Sequence, residues 1–317
     1  MNKKVLVMLA VPKDEIQKVL PDWNLIYPEN EKFSQEELIE KVVDCDAIIT
    51  VYGNKIVNEV IDAAPNLKMI ANFGAGYDNI DVAHAKSKGI IITNSPDPVT
   101  EPTAELAMGL MISVARRMAE MDRKLREKQV TWGVMRNLST TLVGKTLGII
   151  GMGAIGKALA RRAIASGMKV VYHNRNRVDE VIEKSFSAQY LALDELLKLS
   201  DVVSLNMPLT AETKGMIGKE ELALMKSSAY LINTARGPVI DQQALIEALH
   251  SGRIAGAGLD VYENEPTVPD ELLAMDNVVL IPHLGTATHE TRKEMSTLVA
   301  ENIKAFFNGE TPPNRVV

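Results

Sequence analysis

The chain has 317 residues, 46% hydrophobic and 24% charged, a balance that fits a soluble globular protein and excludes a disordered or collagen-like chain. At roughly 150 residues per domain, this length predicts two domains. A net charge of −6, from 35 basic and 41 acidic residues, argues against wholesale binding to nucleic acid or an anionic membrane, so an anionic ligand would need a local positive site.

Asn2-Lys3-Lys4 followed by Val5–Val11 has the outline of a secretory leader. The apolar run is short, however, and Pro12-Lys13-Asp14-Glu15 ends it without a small-residue cleavage site, so a buried strand is expected. Asp46–Val51, Leu67–Asn72 and Ile90–Thr93 also read as strands, continuous in apolar character as strands covered on both faces should be. Helical patterns separate them. One opens with a capping box, Ser34 with Glu37, and another runs from near Asp81 to a C-terminal glycine at Gly89. Such βαβ repetition predicts a mostly parallel sheet. A long helix is expected from Pro102 to Lys128, and Trp132–Ser139 breaks the pattern. A second βαβ series follows, with strands at Thr146–Ile150, Lys169–His173, Asp201–Asn206, Ala229–Asn233, Ile254–Asp260 and Val278–Ile281. Its helices include Asp241–His250 with an aspartate N-cap, and Thr288–Asn308 reads as a long terminal helix. No stretch approaches the ~20 apolar residues of a membrane span. The single cysteine, Cys45, fits a reducing, cytoplasmic setting.

The strand at Thr146–Ile150 runs straight into Gly151-Met-Gly-Ala-Ile-Gly156 and then a helical pattern. This is the context that the dinucleotide fingerprint requires. Gly151 permits the tight turn, Gly153 lets a pyrophosphate approach the backbone, and Gly156 allows close helix–sheet packing. The helix N-terminus that begins at Ala154 and Ile155 supplies N–H donors and a positive dipole end. Roughly 20 residues past the glycines, an acid is expected to accept from the adenosine ribose hydroxyls. Asn174 stands there instead, followed by Arg175 and Arg177. A carboxylate would repel a 2′-phosphate, whereas an amide beside guanidinium groups would attract one. NADP(H) is therefore expected in preference to NAD(H).

Three later strands end in chemically useful loops: Asn233-Thr-Ala-Arg236-Gly237, Asp260-Val-Tyr-Glu-Asn-Glu265-Pro266 and Pro282-His283-Leu-Gly285-Thr286. Ligands of open parallel sheets bind outside the carboxyl ends of the strands, so these loops should converge beside the glycine-rich turn. Arg236 can hold a substrate carboxylate and polarise its ketone. His283 can supply a proton as hydride arrives, and Glu265 can pair with the imidazolium.

With these segments, the chain resembles the D-isomer-specific 2-hydroxyacid dehydrogenases over nearly its whole length. Asn72-Phe-Gly-Ala-Gly-Tyr-Asp-Asn-Ile-Asp81 is similar to the family's substrate-carboxylate loop, and Pro102-Thr-Ala-Glu-Leu-Ala107 to the start of its inter-domain helix. The resemblance implies that Arg236, Glu265 and His283 form the catalytic set and that the backbone at Ala75 and Gly76 meets the substrate carboxylate. It also implies cofactor contacts from Thr103, Ala154, Ile155, Met207, Pro208, Thr213, Thr234, Ala235, Asp260, His283 and Gly285. The implied fold is α/β, with two doubly wound parallel-sheet domains. A Rossmann-type cofactor domain, residues 100–286, is inserted in a flavodoxin-like substrate domain, residues 1–99 completed by 287–317, with a cleft between them. Homodimers built around the first long helix are typical of the family, and Trp132 is a candidate to reach a neighbour's pocket or to pack within its own chain.

Glu265 argues against the formate dehydrogenase branch, which has glutamine there. The chain length leaves no room for the regulatory tail of many phosphoglycerate dehydrogenases. The first arginine is Arg116, so residues 1–115 offer none to a substrate phosphate. Tyr52 is a candidate to close over a small substrate. The motif set most resembles glyoxylate and hydroxypyruvate reductases, with 2-ketogluconate a larger alternative substrate. A D-lactate-type or phosphoglycerate-type dehydrogenase, or a non-catalytic dinucleotide-sensing relative of the corepressor kind, are the alternatives. No metal site is expected.

Overall fold

The computed structural model describes residues 3–51, 53 and 55–317. The chain divides into two compact units, Met1–Val99 with Thr286–Val317, and Thr100–Gly285.

The first unit opens with β1 (Lys4–Val7), α1 (Lys13–Val19), β2 (Asn24–Ile26), α2 (Gln35–Val42) and β3 (Ala47–Thr50). It continues through α3 (Asn58–Asp62), β4 (Met69–Asn72), α4 (Val82–Ser87) and β5 (Ile91–Thr93). All pairings are parallel, in the order β2-β1-β3-β4-β5. The strands are apolar on both faces because both are covered. Leu6, Ile48, Ile70 and Ile92 pack on one side with Leu38 and Val60. Val5, Val7, Ile49 and Met69 pack on the other with Ile16 and Leu20. The Ser34 cap forms as expected, its hydroxyl accepting from Glu37 N–H at 3.2 Å while Glu37 Oε2 accepts from Ser34 N–H at 2.8 Å. Losing such a cap costs about 1 kcal/mol.

The chain leaves this unit within α5 (Asp97–Ala115), which is followed by α6 (Met118–Arg126). The single helix expected over Pro102–Lys128 is thus two, and the first begins earlier. The break has a local cause. Arg117 adopts a left-handed conformation, φ 55°, and its guanidinium forks onto the buried Glu120 carboxylate at 2.7 and 2.6 Å while donating to Leu138 O at 3.0 Å. The Arg117 pairing, with help from Lys124, pulls the Glu120 carboxyl down to about 2 against the opposing effect of burial.

The second unit then carries β6 (Thr146–Ile150), α7 (Ala154–Ala165), β7 (Lys169–His173), α8 (Glu180–Phe186), β8 (Gln189–Tyr190), α9 (Leu193–Leu199) and β9 (Val202–Leu205). It continues with α10 (Lys219–Leu224), β10 (Tyr230–Asn233), α11 (Gln242–His250), β11 (Gly256–Leu259), α12 (Asp270–Leu273) and β12 (Val278–Leu280). The seven strands are parallel in the order β12-β11-β10-β9-β6-β7-β8. This is the Rossmann order with one strand added, and its direction reverses between β6 and β9. Val203, Leu205 and Leu231 pack with α11 on one face; Leu147, Ile149 and Ile232 pack with α5 and α7 on the other.

The last helix, α13 (His289–Phe307), returns to the first unit, where Met295, Val299 and Ile303 complete one face of its core. Thr288 caps it, accepting from Thr291 N–H at 3.1 Å. Two short strands, β2 and β8, are absent from the sequence-based expectation; both lie at sheet edges. β6 and β7 have the expected bounds, and the other strands are one to several residues shorter than their apolar runs.

Candidate active site

The glycine-rich turn follows β6 at the point where the strand order of the second unit reverses. Gly151 has φ +99°, and a Cβ there would stand 2.7 Å from the Asn206 and Met207 backbone. Only glycine lets β6 turn this closely past the end of β9. At Gly156 a Cβ would meet Gly151 O at 2.2 Å, so α7 starts hard against the turn. Gly153 differs: a Cβ there would touch nothing within 4 Å. It is not needed for internal packing, and its bare backbone lies at the N-terminus of α7, where N–H groups favour an anion. The residues present therefore fit a dinucleotide. Two buried acceptors near the strand ends, Asn206 Oδ1 and Thr234 Oγ1, also have no hydrogen-bond partner among the described residues.

At the end of β7, Asn174 Oδ1 accepts from Met152 N–H at 2.6 Å. The amide oxygen thus braces the glycine turn, which leaves the amide nitrogen as the group for a ribose or phosphate. Arg175 is exposed there. Arg177 does not join it. Its guanidinium is forked onto Glu183 at 2.7 Å from both nitrogens, and Tyr172 donates to the same carboxylate at 2.5 Å. The expected cofactor contact of Arg177 would therefore compete with this pairing, because α8 supplies an acid within reach of its guanidinium. These two partners hold the Glu183 carboxyl at about 2.

Of the remaining expected cofactor residues, Met207, Pro208 and Thr213 follow β9, Thr234 and Ala235 follow β10, and Thr103 lies on α5. Met207 and Ala235 are buried, and Pro208 is exposed in the loop after β9. Thr213 spends its hydroxyl locally, donating to Pro208 O at 2.7 Å and accepting from Thr210 N–H at 2.8 Å, which pins the 208–213 turn. Thr103 on α5 donates to Gly285 O at 3.3 Å.

β10, β11 and β12 are adjacent, so their loops emerge side by side. His283 Nδ1 lies 2.8 Å from Glu265 Oε2, and the other carboxylate oxygen accepts from Tyr262 N–H at 3.0 Å. Both side chains are largely shielded, 19% and 25% exposed. Burial would raise the Glu265 carboxyl, but the His283 hydrogen bond and charge, the Tyr262 amide and the Arg236 charge together hold it below its ordinary range. It is therefore an anion at neutral pH. A carboxylate at Nδ1 accepts a hydrogen bond from Nδ1–H, so the proton that the imidazolium can give up is the one on Nε2.

The backbone explains why these groups meet. His283 has φ +54°, unusual for a side chain with a Cβ and costing about 1–2 kcal/mol. Asp260 supports it, its carbonyl accepting from His283 N–H at 2.9 Å and its two carboxylate oxygens accepting from Leu284 N–H at 2.5 Å and Gly285 N–H at 2.9 Å. Deep burial pushes the Asp260 carboxyl up to about 6 despite those two bonds. Arg236 is placed by Asn233, which donates to Arg236 O at 2.9 Å and accepts from Ala235 N–H at 3.0 Å. Gly237 then lets the β10 loop touch the β11 loop: a Cβ would stand 1.9 Å from Tyr262 C and O. Sequence reasoning missed Asn233, Gly237 and Tyr262. The signal was the asparagine and glycine bracketing Arg236.

In the first unit, Ala75 and Gly76 lie in the loop after β4, half-exposed. Tyr52 lies outside the described residues. Arg292 on α13 sits 5.7 Å from the centre of the Phe73 ring, so this unit does contain an arginine near the loop after β4. The lack of arginine in residues 1–115 was therefore too narrow an argument, because α13 belongs to the same unit.

A sequence model of the D-isomer-specific 2-hydroxyacid dehydrogenase NAD-binding domain matches residues 108–285. The chain belongs to this family. It is 46% identical to a glyoxylate reductase of Thermococcus onnurineus, over 100% of this chain and 96% of that one. Among solved structures, a glyoxylate reductase from Paecilomyes thermophila superposes with TM-score 0.89 at 39% identity, covering 99% and 98% of the two chains. An NADPH-dependent glyoxylate/hydroxypyruvate reductase of Sinorhizobium meliloti, solved with NADP and malonate, gives 0.89 at 34% identity, covering 100% and 97%.

Proposed function

We propose that this protein reduces a small 2-keto acid, glyoxylate or hydroxypyruvate, to the D-2-hydroxy acid with a nicotinamide cofactor. The observation that carries the reading is the 2.8 Å contact between His283 Nδ1 and Glu265 Oε2, in a unit built to bind a dinucleotide. The cofactor, held at Gly151, Gly153, Ala154, Ile155 and Gly156, supplies hydride when bound. His283 gives a proton from Nε2 to the developing alkoxide, and Glu265 stabilises the imidazolium that donates it. Arg236 polarises the ketone and pairs with the carboxylate, and the Ala75 and Gly76 amides receive that carboxylate. Steady-state oxidation of NADPH and NADH against glyoxylate, hydroxypyruvate, 2-ketogluconate, pyruvate and phosphohydroxypyruvate tests the assignment. Turnover confined to pyruvate, or to the phosphorylated acid, would replace it with the D-lactate-type or phosphoglycerate-type alternative.

NADP(H) is the proposed preference, supported by Asn174 and Arg175. Asn174→Asp can still accept from Met152 N–H but adds a negative charge where a 2′-phosphate would lie. The ratio of kcat/KM for NADPH over NADH is expected to fall at least about tenfold, since like charges brought together cost several kcal/mol. An unchanged ratio would reject Asn174 as the discriminator.

A homodimer is proposed from one exposed apolar segment. Met118, Leu125, Trp132, Val134, Met135 and Leu138 are all exposed, Trp132 by 81%. That exposure supports a neighbour's surface over intrachain packing for Trp132, since an apolar surface of this kind marks an association site. Light scattering should give twice the 34.7 kDa chain mass, and Met135→Asp with Leu138→Asp should give the single-chain mass. Among the described residues no helix is long and apolar enough to cross a membrane. A cytoplasmic location is proposed on the single cysteine, Cys45, which is buried and free.

A further inference from the structure

The carboxylate loop is held in a particular way. Asn72, fully buried at the end of β4, donates from Nδ2 to Gly74 O at 2.9 Å and to Gly76 O at 2.7 Å. Asn94, just past β5, donates to Ala75 O at 2.8 Å. Ser95 reinforces both, its N–H donating to Gly74 O at 2.9 Å and its hydroxyl to Asn72 O at 3.1 Å.

Three successive carbonyls, those of residues 74, 75 and 76, are therefore gripped by two carboxamides. In a trans peptide the C=O of one residue and the N–H of the next lie in one plane and point in opposite directions. Fixing the three oxygens toward Asn72 and Asn94 turns the N–H groups of Ala75, Gly76 and Tyr77 away from them. Among the described residues, nothing accepts from any of those three amides. Consecutive outward N–H groups form a concave anion site. Asn72 Oδ1 is also buried without a partner among the described residues. That arrangement lowers stability, so its return is to be sought in function.

We infer that Asn72 and Asn94 are positioning residues, which orient the Ala75, Gly76 and Tyr77 amides as a preformed cradle for the substrate carboxylate. The inference rests on the reading that this loop receives the carboxylate. Neither asparagine needs to touch the substrate. Their effect is on how well the amides are aimed, and so on substrate KM more than on kcat or on cofactor affinity.

The test uses the full-length protein with NADP⁺ bound and oxalate as a planar, unreactive carboxylate probe. Amide resonances of Ala75 and Gly76 are followed by ¹⁵N NMR during titration. In wild type they are expected to shift on saturation with oxalate. In Asn94→Ala, oxalate affinity should fall about tenfold, the upper range for loss of one hydrogen bond. KM for glyoxylate should rise in proportion, with kcat changed less and NADPH affinity unchanged. Asn94 is only half-buried, so this variant tests the idea even if Asn72→Ala does not fold. Shifts in wild type combined with unaltered oxalate affinity in Asn94→Ala would overturn the asparagine role alone. No shift at residues 75 and 76 in wild type would remove the carboxylate site itself, and the inference with it.

Discussion

His283→Ala is expected to lower kcat for glyoxylate reduction by about a hundred- to ten-thousand-fold, the usual worth of a positioned proton donor. The dissociation constant for NADPH should move little. Hydride arrival leaves an alkoxide, which is far too basic to form without a proton or a cation beside it. Nε2 of His283 is the proton source in this account, because Glu265 occupies Nδ1 at 2.8 Å. Arg236 survives in the variant and still polarises the ketone, so the loss should fall short of complete inactivation. The backbone at 283 is held by Asp260 rather than by the imidazole, so the turn should persist. Stopped-flow reduction and cofactor titration on the same preparation separate the two effects. A kcat within about threefold of wild type would dismiss His283, because even a modest acid catalyst contributes more than that.

Gly237→Ala is expected to damage both stability and turnover, although the residue carries no chemistry. The new methyl would lie 1.9 Å from Tyr262 C and O and 2.5 Å from Glu263 N. Those are backbone atoms, so no rotamer change can clear the clash, and the two loops must separate. Overpacking of this kind costs typically about 1–3 kcal/mol. The loops that part are those that carry Arg236 and, through Tyr262 N–H, hold Glu265. A displacement of about 1 Å in such a site can cost a hundredfold in rate. Thermal unfolding should show a lower Tm, and kcat/KM for glyoxylate should fall about a hundredfold. A folded variant with wild-type kcat/KM would show that the contact between the loops does not set the site.

Much of this was legible in the residue order because the chemistry there is local. The glycine turn, the caps at Ser34, Asp241 and Thr288, and the apolar strands declare themselves over a few positions. Arg236, Glu265 and His283 could be grouped because each follows a strand and parallel strands all end on one side. What escaped depends on partners distant in the chain or on a single dihedral angle. The left-handed Arg117 that ends α5 is stabilised by Glu120 and by Leu138, a combination that helical periodicity cannot reveal. That Glu183 of α8 pairs with Arg177 was likewise not visible from the loop alone. The absence of arginine from residues 1–115 did not show that α13 brings Arg292 to Phe73 in the first unit. The strands β2 and β8 pair on one side only, so they carry little of the buried apolar signal that marked the others.

A stereospecific reduction is measurable with hydroxypyruvate because its product is chiral. The decisive measurement is chiral analysis of the glycerate formed by the wild-type protein from hydroxypyruvate and NADPH. D-glycerate alone is expected, formed in step with NADPH consumed. L-glycerate, or tight NADPH binding with no turnover on hydroxypyruvate or glyoxylate, would contradict it, and the second result would favour a nucleotide-sensing protein.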